Sequence, residues 1–434
     1  MESNNYSGKK KCSSSISSSS SRRRSSIQAL DYDILSIIFA YIDHFDLVRC
    51  SSVCKSWYDC IHKSDLLKMK YYNRNKDSCF LSNASSETTL KMYLKVLAME
   101  QHRLSLQNGS ADIYQWNGHS TSIDQCRMKM GLILTGVGDK VARIWSVKSY
   151  KCLEGYSVPD MKPLADFDFD ENKIVGLVGT RICIWRRNGK RSIFPTQDDA
   201  ITTGLCMRYV DPEAVVGCGD GTARVFDMYS KKCSRIIRMH AGPVTCLALT
   251  DDQLILSGSS LGSIKVAGLS SDQRVASLRS THSTGIRSLC YNPSSSLVFA
   301  GSTGGYLHCW DLRTMKPLWE NRVSPNVIYS VQHMRTNTSS LVAGGIDGVL
   351  RILNQNTGEL LSSYVINEGT KAAASTKTRY GVVEKKKAEK LSEDACLDRI
   401  PKHSRPTITC LAVGMKKVVT THNSKLIRVW KFNN

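Results

Sequence analysis

Along residues 27–107 the apolar positions recur every three or four residues. Leu30, Ile34, Leu35, Ile37, Ile38 and Tyr41 form one series, and Leu47, Val48, Val53, Cys54, Trp57 and Ile61 form a second. That spacing is the period of a helix with a buried face. Asp43-His44-Phe45-Asp46 separates the two, with Asp46 placed to cap the second helix. A further helix is expected from Glu87 to Leu106, carrying Leu90, Leu94, Leu97 and Leu104 on one stripe. Ser85 or Ser86 is its N-cap and Asn108-Gly109 its stop. This part of the chain reads as an αα module followed by a helical spacer.

From Ser110 the period drops from about 3.6 to about 2. Short alternating runs now recur between clusters of Gly, Asp, Asn and Ser, the mark of successive strands. They carry an internal repeat. Its sharpest element is an apolar anchor ending a short strand: Trp145, Trp185, Phe226, Ala267, Trp310, Leu353 and Trp430. Successive anchors lie 40, 41, 41, 43, 43 and 77 residues apart. Asn367 to Arg405 accounts for the long last interval. It is polar, contains Lys385-Lys386-Lys387, and is expected as a disordered loop before the last repeat. The stretch Ala111 to Trp116 is an orphan strand ahead of the first repeat. Pairing it with the last, which is one strand short, would close a ring and hide two sheet edges.

A period near 40 residues with glycine-rich turns resembles the WD-repeat β-propeller. Gly118-His119 matches the opening signature of that family, Met239-His240 and Thr281-His282 keep its His, and Phe226-Asp227 and Trp310-Asp311 match its close. Asp139, Asp220 and Asp347 stand six residues before an anchor, where the family has a turn Asp with a structural role. Seven anchors imply seven blades. Gly136-Val-Gly138 and Gly217-Cys-Gly219 are expected in repeat turns with positive φ.

Residues 27–70 resemble the F-box. The positions that carry the resemblance are Leu30, Ile34, Leu35, Ile38, Phe39, Asp46-Leu47 and, most specifically, Val53-Cys54-Lys55-Ser56-Trp57. Asp31 stands where the family has Pro, and an acidic residue also suits a helix start. A helical piece this short has a small core and an apolar face left over. In the family that face meets a Skp-type adaptor, which bridges to a cullin and a RING protein. The resemblance therefore implies adaptor contacts through Leu30, Ile34, Leu35, Ile38, Phe39, Leu47, Val53, Cys54 and Trp57.

Together the two resemblances imply an all-β seven-bladed WD-repeat propeller (110–434), preceded by an all-α F-box module (27–70), a helical linker (71–109) and a disordered Ser/Arg-rich tail (1–26). They imply the substrate-recognition subunit of an SCF-type E3 ubiquitin ligase, with catalysis left to other subunits and no cofactor. The alternative is a WD-repeat scaffold of a nuclear or RNA-associated complex. In the family the propeller's top face is built partly from an early position in each repeat, here including Asp124, Thr245, Arg287, Tyr329 and Thr409. Only one of these is Arg, so this face is not expected to read a phosphorylated target through an Arg cluster.

Composition trims the remaining classes. No apolar run approaches the roughly 18 residues that span a bilayer, and the N-terminus has no apolar signal core. The 16 Cys are therefore expected as reduced thiols; none has C-x-x-C spacing, which argues against zinc. No phosphate loop or nucleophile elbow is present. The net charge of +21 suggests an acidic partner. However, residues 1–30 hold +5 of it and residues 367–405 hold +4, leaving +12 for the rest. With no basic helix and no basic-aromatic run, this argues for localisation signals in the nucleus or cytoplasm rather than for nucleic acid.

Overall fold

The computed structural model describes residue 27 and residues 30–433, apart from 75–85, 138–139, 159–163, 188, 196–202, 251, 270–273, 283, 335–338, 368–374, 379–380 and 393–394. The tail 1–26 and part of the expected linker lie outside the described residues. The chain divides into two compact units, Met1–Ala98 and Met99–Asn434.

In the first unit the helices are α1 (Tyr32–Tyr41), α2 (His44–Ser51), α3 (Lys55–Lys63), α4 (Leu66–Arg74) and the start of α5 (Ser86–Asn108). Asp31, in the place of the family's Pro, caps α1: its Oδ1 accepts from Tyr32 N–H at 2.9 Å. Asp46 does not cap α2, which begins earlier; it lies in the first turn and pairs with Arg49 at 2.6 Å. Leu35, Phe39, Leu47, Cys60, Ile61, Leu66, Leu67 and Leu97 form one small core. Trp57 packs edge-on to Phe39, ring centroids 5.3 Å apart. The α4 helix was not foreseen. It contributes Leu66 and Leu67 to the core, and Lys70 Nζ donates to the Ala40 carbonyl at 2.9 Å.

The second unit holds five four-stranded antiparallel sheets and one ten-stranded sheet among the described residues. The five are blades 1 to 5: residues 123–157, 164–194, 204–238, 244–279 and 286–322. The large sheet joins blade 6 (328–367) to blade 7, made of three strands within 410–433 and the strand Ser110–Asn117. Ser110–Asn117 pairs antiparallel with Leu426–Asn433, with Ile113 opposite Trp430. Blade 7 is thus completed by the first strand of the unit.

The apolar interior is seven separate cores, each shared by two adjacent blades. Each anchor enters the core between its own blade and the preceding one. Trp145 lies between blades 7 and 1, Trp185 between 1 and 2, Phe226 between 2 and 3, and Ala267 between 3 and 4. Trp310 lies between 4 and 5, Leu353 between 5 and 6, and Trp430 between 6 and 7. The repeat recognised in the sequence is therefore a repeat of seams.

Buried polar groups brace the blades. In blade 1, His119 and the Trp145 indole both reach Thr135 Oγ1, at 2.8 and 2.9 Å. Blade 7 rebuilds the same brace from a different position: His422 and the Trp430 indole meet Thr420 Oγ1 at 2.6 and 2.9 Å. Burial, then Arg428, pushes the His422 imidazole well below its usual value. The neutral ring then accepts from Thr420 and donates from Nδ1 to the Pro406 carbonyl at 3.2 Å. His282, by contrast, is exposed and pairs with Glu320 instead of bracing a blade.

Two expectations need correction. Gly136 and Gly217 are in strands, not turns; Gly219 does lie in a turn, but none of the three has a positive φ, and Gly138 lies outside the described residues. A Cβ on Gly217 would lie 2.6 Å from Cys206 Sγ and Val244 Cγ1, so glycine there permits close approach of the next blade. Positive φ belongs to Gly221, at +83°, in the following turn.

The insert 367–405 is also not a structureless loop over its described length. Gly381–Lys390 is a strand, and it sits between Leu360–Asn367 of blade 6 and Ser110–Asn117 of blade 7. Val383 is buried in the seam between blades 7 and 1; Lys385 pairs with Asp112 at 2.9 Å and Glu384 accepts from Gln115 at 2.8 Å. Lysines read as an exposed charge run are in fact the rungs of an added strand. Its short polar pattern hides it, because a strand that covers an edge at the rim needs few apolar residues. Val383→Asp is expected to cost about 2 kcal/mol or more, by lost burial and a charge placed against the seam. The exposed Lys387→Glu is expected to stay within about 0.5 kcal/mol. Urea unfolding of both variants checks this.

Candidate partner-binding surfaces

The structure divides the nine F-box positions. Leu35, Phe39 and Leu47 are buried. Leu30, Ile38, Cys54 and Trp57 are half-buried, and Ile34 and Val53 are exposed. The first helix is apolar on two sides. Positions 35 and 39 face the module's own core, whereas Ile34, Ile37 and Tyr41 are 48, 61 and 89% exposed. These three are spaced three and four apart, so they form one outward stripe on α1. Val48, Val53 and Tyr58 on the next two helices and their junction are exposed as well. A module this small that leaves these six and three further large apolar side chains, Ile27, Tyr32 and Met69, in water presents a candidate docking face. Sequence periodicity did not separate the inward from the outward set, and it missed Ile37, Tyr41, Val48 and Tyr58 as candidate contacts.

On the propeller, the innermost strands of the blades surround a central cavity. At one mouth, a space of about 220 Å³ is lined by Thr245, Arg287, Tyr329 and Thr409 among others. Four of the five expected positions therefore come together. Asp124 does not line this space; burial raises its carboxyl above the usual value. Arg287 lies over the Tyr329 ring, 5.7 Å from its centroid. The Thr245 hydroxyl donates to the Ile286 carbonyl at 2.5 Å, and Thr409 shares its hydroxyl with Thr421 at 3.0 Å, so both threonines serve the ring itself.

The sequence reading missed the charges deeper in this cavity. Arg127, Arg208 and Asp166 also line it. Arg127 and Arg208 both pair with Asp166, at 2.7 and 3.2 Å, and Lys129 pairs with Asp168 at 2.5 Å. Burial alone would raise the Asp168 carboxyl, but Lys129 and Arg127 outweigh it and hold the carboxyl below its ordinary range. Arg127 Nε and Ser288 Oγ are buried here without a hydrogen-bond partner. Three guanidiniums therefore reach one cavity where one was expected. The alternation Gln125, Arg127, Lys129 along a strand was the available signal, since alternate residues share a face.

The turn aspartates are structural. Asp347 accepts from Ser324 Oγ at 2.8 Å and pairs with Arg351 at 2.6 Å. Asp220 accepts from Thr222 N–H at 2.9 Å and pairs with Arg224 at 3.2 Å. Asp139 lies outside the described residues. Among the described residues no cluster of His, Cys, Asp or Glu could hold a metal ion, and no helix is long and apolar enough to cross a membrane.

A helical module with an apolar face in water, followed by a ring of WD-type blades, defines a class of chain. The F-box domain family matches residues 27–69, and the WD domain, G-beta repeat family matches residues 231–266 and 273–311. An F-box/WD-40 repeat-containing protein of Arabidopsis thaliana is 51% identical, over 94% of this chain and 95% of its own length. This chain belongs to the F-box/WD-40 repeat-containing proteins. More distant relatives match shorter stretches of the chain. The human angio-associated migratory cell protein is 23% identical over 58% of this chain and 62% of its own length. The F-box/SPRY domain-containing protein 1 of Drosophila simulans is 31% identical over 23% of this chain and 43% of its own length.

Proposed function

We propose that this chain is the substrate-recognition subunit of an SCF-type ubiquitin ligase acting in the nucleus or cytoplasm. The F-box docks a Skp-type adaptor, and through it a cullin and a RING protein, while the propeller holds the target. The observation that carries this is the apolar stripe Ile34, Ile37 and Tyr41, exposed within a matched F-box. The mouth lined by Arg287 and Tyr329 supports target binding there, because it gathers charge and unpartnered donors at the centre of the ring. The chain's own contribution is proximity, which raises the effective concentration of a target lysine near a charged conjugating enzyme. The full chain mixed with a purified Skp-type adaptor is expected to elute as a 1:1 complex in size-exclusion chromatography. With cullin, RING protein and conjugating enzymes added, it is expected to support ubiquitin transfer. Failure of the full chain to bind the adaptor sinks this reading, and salt-dependent retention of RNA in its place supports the scaffold alternative.

A further inference from the structure

A cavity of about 570 Å³ opens at the seam between blades 3 and 4, with Arg238, Lys265 and Arg279 among its lining residues and no carboxylate among them. Its origin is in the repeat. The anchor of this seam is Ala267, the smallest of the seven. An offset of 43 residues maps Ser263, Lys265, Ala267, Ser277 and Arg279 of blade 4 onto Tyr306, His308, Trp310, Glu320 and Arg322 of blade 5. The strand registers agree. Ser263 opposes Arg279 as Tyr306 opposes Arg322, and Lys265 opposes Ser277 as His308 opposes Glu320.

In blade 5 those positions are filled. Tyr306 stacks on His282 at 4.1 Å, His308 stacks on Trp310 at 5.4 Å, and Glu320 lies 2.6 and 3.4 Å from His282 and His308. In blade 4 none of the three positions holds a ring, and the carboxylate is a hydroxyl. Volume and negative charge are therefore lost at the same place, while Arg279 is kept and Arg238 enters from the neighbouring blade. Ser263, Lys265, Ser277 and Arg279 line the open pocket that results, while Ala267 stays fully buried in the seam core. Clustered cations on its wall focus anions, and guanidinium forks match phosphate oxygens.

We propose that this seam is an oxyanion site that takes a phosphate monoester, with Arg238 and Arg279 as forked donors and Lys265 and Ser277 completing the cradle. The proposal does not rest on the ligase reading. Its test is calorimetric titration of the full chain with O-phosphoserine, with glucose 6-phosphate and with unphosphorylated serine. One saturable site is expected for a phosphate ester and none for serine. Binding by O-phosphoserine alone marks a phosphorylated side chain as the source, and binding by the sugar ester alone marks a small metabolite. Arg279→Ser is expected to weaken binding about ten-fold or more. Ser277→Glu, which restores the blade 5 carboxylate, is expected to abolish it. Arg322→Ser, the blade 5 counterpart, is expected to leave it unchanged. Ser277 and Arg279 are exposed, so both variants should fold, and thermal unfolding verifies that. Absence of binding by both esters, undiminished binding in Arg279→Ser and Ser277→Glu, or equal weakening by Arg322→Ser overturns the site.

Discussion

Replacing Ile34 and Ile37 together by aspartate is expected to weaken adaptor binding by about 100-fold or more while the F-box module stays folded. Both side chains are about half exposed or more, at 48 and 61%, so the substitutions place charge in water and not in the core. In a complex the same positions would be desolvated. Two apolar anchors at the centre of an interface are worth roughly 2 kcal/mol or more each, and every 1.4 kcal/mol is about ten-fold in affinity. Leu47→Ala is the contrasting variant. Leu47 is fully buried, and truncation there costs about 2–5 kcal/mol of folding free energy. In a core of about a dozen side chains, that is enough to unfold the module, so binding should vanish together with helicity. Adaptor titration and circular dichroism on both variants separate the two outcomes. Wild-type affinity in the Ile34/Ile37 variant would show that this stripe is not the docking face.

The second large effect belongs to the propeller. Asp347→Ala is expected to destabilise the ring by about 3–5 kcal/mol, because it leaves Arg351 buried and unpaired. The side chains of Asp347 and Arg351 are 1 and 6% exposed, and the carboxylate also accepts from Ser324 and from Val349 N–H. The equivalent pair in blade 3 is looser. Asp220 is 32% exposed, so Asp220→Ala should cost only about 1 kcal/mol. Replacing Asp347 and Arg351 together by apolar residues should recover much of the loss, since buried pairs contribute less than their breakage costs. Chemical denaturation of the two single variants and the double variant measures this. Equal costs at Asp220 and Asp347 would defeat the argument from burial.

Much of the molecule was legible before any coordinates. The seven anchors, from Trp145 to Trp430, and the strand Ser110–Asn117 that completes the last blade can be read from spacing and alternation alone. These features are local, because one anchor per repeat is needed to fill each seam. The run Val53-Cys54-Lys55-Ser56-Trp57 likewise marked the F-box. Legibility ended where function depends on facing. Leu35 and Ile34 are neighbours in one helical pattern, yet one is core and the other is surface. Arg127 and Arg208 are 81 residues apart in sequence and meet on a single aspartate.

The sequence by itself determined the class of the chain, the number of blades and the period of the ring, since these follow from side-chain type at fixed spacing. Only the tertiary structure decided which apolar residues of the F-box remain in water, and that three guanidiniums share one channel. It also turned the lysine-rich insert into a strand between blades 6 and 7, and opened a cation-walled pocket at the seam between blades 3 and 4. The physical reason is the same in each case. Burial, charge pairing and cavity volume depend on what a neighbouring element brings, and that neighbour is a blade or a helix away in space but tens to hundreds of residues away along the chain.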